Sequence, residues 1–152
     1  MNLEQVFLAN RAGFGVFRLA GSVDLTSLQT LASNMHLGMF VIDGEKVKDK
    51  QQFLKSFVET LKSPHIVTKD WDYFERLLEL LDWVDSDGTV IVYKDFQHFW
   101  KENKRDFDIL LDIFKSVVKF RESRLHFPEI TPLYIFIQGD DTIELEIEWV
   151  DG

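Results

Sequence analysis

The sequence predicts an α/β domain built on a small, mainly parallel sheet. Three observations carry that expectation. Short apolar runs of strand length recur at 39–42, 89–93 and 133–137. Asp43-Gly44 follows the first run and Asp87-Gly88 precedes the second, and both dipeptides are turn signals. Between the runs, apolar residues return at helical spacing, which is the alternation that lays parallel strands beside one another. With 152 residues, 45% of them hydrophobic and 14% aromatic, the chain has material for one domain core without crosslinks.

The elements follow in order. Residues 6–8 and 15–19 flank Gly13-Phe14-Gly15 and read as a hairpin. Asp24 caps a helix over 25–35, with Leu25, Leu28, Leu31 and Ala32 on one face. Met39 to Ile42 reads as a buried strand. Phe53, Leu54, Phe57, Val58 and Leu61 form the stripe of a helix over 50–62, and Ser63-Pro64 stops it. Asp70 caps the next helix, whose apolar face is Trp71, Phe74, Leu77, Leu78 and Leu81.

Thr89 to Tyr93 is the second buried strand, and Asp95 is placed to cap a short helix holding Phe96, Phe99 and Trp100. A longer helix over 105–120 turns Phe107, Leu110, Leu111, Phe114, Val117 and Val118 inward. Leu133 to Ile137 is the third apolar strand. Last, Ile143, Leu145, Ile147 and Trp149 alternate with Glu144, Glu146 and Glu148, the period of a strand with one solvated face.

The net charge is −9, from 17 Lys and Arg against 26 Asp and Glu. It is concentrated. Residues 69–87 hold seven acids against Lys69 and Arg76, and residues 139–152 hold six acids and no base. Outside those stretches the chain is slightly positive. An acidic balance disfavours nucleic-acid phosphates and favours a basic protein partner. The absence of Cys excludes disulfides, thiolate zinc sites and cysteine nucleophiles. No run approaches the 18 or so apolar residues of a membrane span, and the N-terminus lacks a signal-peptide pattern, so a cytoplasmic location is expected.

Catalytic motifs fail one by one. His36, His65, His98 and His126 have no metal-ligand spacing, and no Walker A run or G-x-S-x-G elbow occurs. Gly13-Phe14-Gly15 lacks the context of a dinucleotide loop. Around Asp85-Ser86-Asp87-Gly88, the first and twelfth calcium-loop positions fall on Trp83 and Lys94, so a turn explains it better. Neither an enzyme, a cofactor nor a metal site is expected.

One helix carries the remaining signal. Asp72, Glu75, Arg76, Glu79 and Asp82 recur at i, i+3, i+4, i+7 and i+10, opposite the Trp71–Leu81 apolar face. Such a stripe is either a solvated surface or a docking face, where carboxylates on a rigid helix stand in for phosphates and steer a cationic partner.

The pieces VIDGEKVKDKQQF, SPHIVTKDWDYFERLLELL and TVIVYKDFQHF together resemble the barstar family of ribonuclease inhibitors over about 40–137. The resemblance implies three core parallel strands, here with added terminal strands, packed with about four helices. It divides the chain into an extension, 1–38, carrying the hairpin and first helix and packed on the main domain, and a barstar-like α/β domain, 39–152, with an added acidic C-terminal strand. It implies a protein partner, a ribonuclease or related toxin, met by an acidic helix and its preceding loop in the manner of an immunity protein. The site residues implied are Ile66, Val67, Lys69, Asp70, Asp72, Glu75, Arg76, Glu79 and Asp82. Asp72 matches an inhibitory aspartate of the family, and Asp70 stands where Asn usually begins the helix. Ile66 and Val67 replace the loop's aromatic pair, Thr68 its Gly, and Glu75 a partner-contacting Trp. Arg76 occupies the position of the dominant inhibitory aspartate, and Ser116 that of a contacting glutamate. The alternative is an interaction module of the same fold with a non-nuclease partner. The Glu144/Glu146/Glu148 face serves either that purpose or protection of a sheet edge.

Overall fold

The computed structural model describes residues 1–9, 14–65, 70–124, 127 and 130–152. In chain order its elements are α1 (Leu3–Ala9), β1 (Phe14–Leu19), α2 (Leu25–Asn34), β2 (Gly38–Asp43), α3 (Lys50–Leu61), α4 (Trp71–Leu80), β3 (Thr89–Lys94), α5 (Gln97–Glu102), α6 (Lys104–Glu122), β4 (Leu133–Gln138) and β5 (Glu148–Val150). The five strands form one sheet in the order β2-β3-β4-β1-β5, and every pairing is parallel.

The strand sequences explain their places. β3 and β4 are apolar on both faces, and both are buried almost throughout, as central parallel strands must be. One face of the sheet, carrying Val90, Val92, Tyr134, Phe136, Phe17 and Leu19, packs against α1 and α2. The other, carrying Ile42, Ile91, Tyr93, Leu133, Ile135 and Ile137, packs against α3, α4, α5 and α6. Phe53 of α3 centres this larger layer, with its ring close to those of Trp71, Phe74, Tyr93, Phe99 and Phe114. The pairs with Phe74 and Phe114 are edge-on, and aromatic pairs of that geometry add about 0.5–1.5 kcal/mol each beyond the area they bury. Gly44 closes β2 because a Cβ there would strike the Lys94 carbonyl on the neighbouring strand.

Four expectations need correction. The hairpin at the N-terminus does not form, because residues 3–9 are helical. Asn2 Oδ1 accepts the Gln5 N–H at 2.9 Å while Gln5 Oε1 accepts the Asn2 N–H at 2.8 Å, a reciprocal cap that nucleates α1. β2 is an edge strand: it pairs with β3 alone, and only Ile42 of its six residues is buried. Asp95 does not cap α5. It lies in the left-handed region at φ 56°, one residue before the helix entrance, and no side chain caps that entrance.

The C-terminal alternation makes a much shorter strand than its period suggests. β5 spans three residues, paired with Phe17–Leu19 of β1. Ahead of it the chain turns on Asp140, whose Oδ1 accepts from the N–H and hydroxyl of Thr142. Arg18, fully buried on β1, donates to the carbonyls of Asp140 and Ile143 and so pulls residues 140–143 off the sheet line. Its guanidinium lies between the rings of Phe96 and Trp149, 4.4 and 4.6 Å from their centroids. Burial pushes this cation below its ordinary pKa, while Asp141, Asp140 and Glu144 oppose the shift.

Candidate docking face on α4

α4 begins where the sequence requires. Asp70 has extended backbone, and its carboxylate accepts the Asp72 N–H at 2.9 Å. The helix ends at Leu81, whose left-handed backbone (φ 45°) returns its N–H to the Leu77 carbonyl. Phe74, Leu77 and Leu78 are buried, with the Phe74 ring edge-on to Phe57 of α3 and Phe114 of α6. The opposite face presents Asp72, Tyr73, Arg76 and Leu80 to solvent, with Tyr73 37% and Leu80 53% exposed.

The predicted residues do not all share that face. Asp72 and Arg76 are exposed on it. Glu75 and Glu79 are half-buried at its side towards α6, and Glu75 Oε1 accepts from the Ser116 hydroxyl at 3.2 Å. The two positions that the resemblance assigned to partner contact therefore bond to each other. Burial raises the Glu79 carboxyl pKa, and Glu75 raises it further against the pull of Arg124 and Arg76. Asp82 leaves the stripe, because the left-handed turn at Leu81 ends the helix before it. Ile66, Val67 and Lys69, with Thr68, lie outside the described residues. Among the described residues the one ion pair is Lys104–Asp108 on α6, so Arg76 holds no such partner.

Sequence reasoning missed what anchors the end of this helix. Arg121 of α6 is fully buried, and its Nη1 donates to the carbonyls of Glu79 and Leu80 at 2.8 and 3.3 Å. Nη2 donates to the carbonyl and hydroxyl of Thr131. A cation there satisfies carbonyls that a helix C-terminus leaves without partners and suits the helix dipole. Its burial pushes the guanidinium down to about 10. A signal existed in the spacing, since Arg121 continues the buried Phe114–Val117 stripe by one more turn. Trp83 adds a second tie, its indole N–H donating to the Leu61 carbonyl at 2.8 Å and joining the ends of α3 and α4.

No helix among the described residues is long and apolar enough to cross a membrane. No curated protein matches the chain significantly. Among solved structures, the Aeropyrum pernix ORC2 protein in its ADPNP–ADP complexes is similar, with a TM-score of 0.57 and 14% identity. The match covers 91% of this chain and only 38% of that one, and at such identity it speaks for the fold alone. The family model described as barstar (barnase inhibitor) matches residues 37–129. That segment holds β2, β3 and the helices from α3 to α6, more than half of the chain, and the chain belongs to the barstar family.

Proposed function

We propose that this protein binds and inhibits a ribonuclease or related toxin through the outer face of α4 and the loop that precedes it, as an immunity-type inhibitor. The observation that supports this most is the exposure of Asp72, Tyr73, Arg76 and Leu80 on one face of a helix anchored at both ends. A rigid helix face loses little conformational entropy on docking, and Tyr and Arg are the residue types that dominate interface energies. Residues 39–152 carry the docking unit in this reading, and residues 1–38 extend its sheet. The acidic chain favours a basic partner overall and disfavours nucleic acid and membrane surfaces as targets.

Arg76 sets a condition on the target. Against a uniformly basic active site it would make a like-charge contact worth roughly several kcal/mol of lost affinity. The target therefore offers an acidic or neutral group opposite Arg76 within a surface that accepts Asp72. This favours a cognate toxin over a standard barnase-type enzyme. It also gives weight to a second reading, an interaction module of the same fold whose partner is not a nuclease.

Titration against nucleases encoded beside this chain or secreted with it, at low salt, tests the proposal. The expected result is a complex that blocks nuclease activity and weakens when Asp72 is changed to Lys. Absence of binding to any of them contradicts it. A complex that leaves nuclease activity intact favours the second reading.

A further inference from the structure

The two edges of the sheet are built differently. β5 is three residues long, begins with Glu148 and is approached by Glu144 and Glu146, the short and charged edge that discourages pairing. β2, at the other edge, is twice as long and reads Gly-Met-Phe-Val-Ile before its first charge at Asp43. Its phase is set by the bonds that bracket it, Gly38 N–H to Gly88 carbonyl and Gly44 N–H to Lys94 carbonyl. Even-numbered residues thus bond to β3, and the backbone groups of Met39 and Val41 face outward. Val41 is 36% exposed, and Met35 just ahead of the strand is 41% exposed. β2 itself contains no Lys, Pro or bulge.

We infer that β2 pairs antiparallel with β2 of a second copy across a two-fold axis, joining the two sheets into one. The charge distribution supports that occupant. The start of the edge carries exposed His36, Asp85 and Asp87, and its end carries exposed Lys46, Lys48 and Lys94 beside Asp43 and Glu45. Antiparallel pairing brings the start of one strand to the end of the other. The start carries the two acids Asp85 and Asp87, and at the end the three lysines outnumber Asp43 and Glu45, so each net negative start then meets the net positive end of its mate. Parallel pairing would instead set like ends together. A two-fold interface must be self-complementary, and this edge is.

The test is the mass of the full chain by light scattering and sedimentation across a dilution series, with amide exchange read in parallel. The unmodified chain is expected to form a dimer that dissociates on dilution and in high salt, with Met39 and Val41 amides protected only in the dimer. Val41→Lys is expected to abolish the dimer, and Asp85→Lys with Asp87→Lys to weaken it, with circular dichroism unchanged. A chain that is monomeric at every concentration overturns the inference, as does a dimer undiminished by Val41→Lys. If Val41→Lys fails to fold, the unmodified chain decides: Met39 and Val41 amides that exchange equally fast at all concentrations overturn the inference.

Discussion

Arg121 and Arg18 show how two arginines come to be fully buried without an ion pair among the described residues. Each spends its guanidinium on main-chain carbonyls, Arg121 at the end of α4 and before β4, Arg18 in the turn before β5. Removing such a group leaves buried acceptors unsatisfied, at about 1–3 kcal/mol for each one water cannot reach. Arg121→Met is therefore expected to destabilise the fold by roughly 2–4 kcal/mol, measured by urea unfolding. It should also speed amide exchange in the last turn of α4 more than elsewhere. Neither role was legible residue by residue. Arg121 lies on an apolar stripe and Arg18 between Phe17 and Leu19, which signals burial, but the acceptors sit far away in sequence. By contrast Asp24 and Asp70 declared themselves, because an N-cap bonds within two or three residues of itself.

At the scale of elements, α4 depends on its two ends as much as on its apolar face. Asp70→Ala removes the acceptor for the Asp72 N–H and is expected to cost about 1 kcal/mol, read as a lower urea midpoint at unchanged slope. Position 70 also begins the proposed docking face, so Asp70→Asn, which keeps the cap, separates stability from binding. The helices and strands that were legible are those whose pattern is local. Leu133–Ile137 and Thr89–Tyr93 are apolar on both faces and became the centre of the sheet. Residues 143–149 alternate as cleanly as any strand, yet only three residues pair. There the carbonyls bound by Arg18 and the turn at Asp140 outweigh the two-residue period. The N-terminal helix was misread because Val6, Phe7 and Leu8 suggest a strand, while the deciding signal is the Asn2–Gln5 capping pair.

For the whole molecule, the three strands of the family resemblance lie side by side as β2, β3 and β4, and β1 and β5 extend the sheet beyond β4. The extension is coupled to the body through Arg18. Deleting residues 140–152 would strip Arg18 of both carbonyl acceptors and of the Trp149 ring, leaving the Phe96 ring as its remaining contact, and would uncover the apolar residues beneath Ile143 and Val150. Each lost bond to the guanidinium costs about 1–3 kcal/mol where water cannot replace it, and the lost apolar burial of Ile143 and Val150 adds to that. The truncated chain is expected to unfold cooperatively at a much lower temperature, or not to fold, by circular dichroism. Retention of the full melting temperature would make the segment an appendage available to a partner.

The fold was legible from sequence because alternating strand and helix patterns are local. The exposed face of α4 was legible in part, since the spacing marked Asp72 and Arg76 while the inward tilt of Glu75 and Glu79 depends on α6. The contact that Arg76 makes in a partner decides how α4 docks. It is tested most directly by inhibition of a barnase-type ribonuclease with the unmodified chain and with Arg76→Asp. If the outer face of α4 docks as in the barstar family, reversing this charge should strengthen inhibition roughly tenfold or more. Equal inhibition by the two proteins would contradict the placement of α4 at the interface, whereas a barnase-type enzyme that neither protein inhibits is not the cognate target.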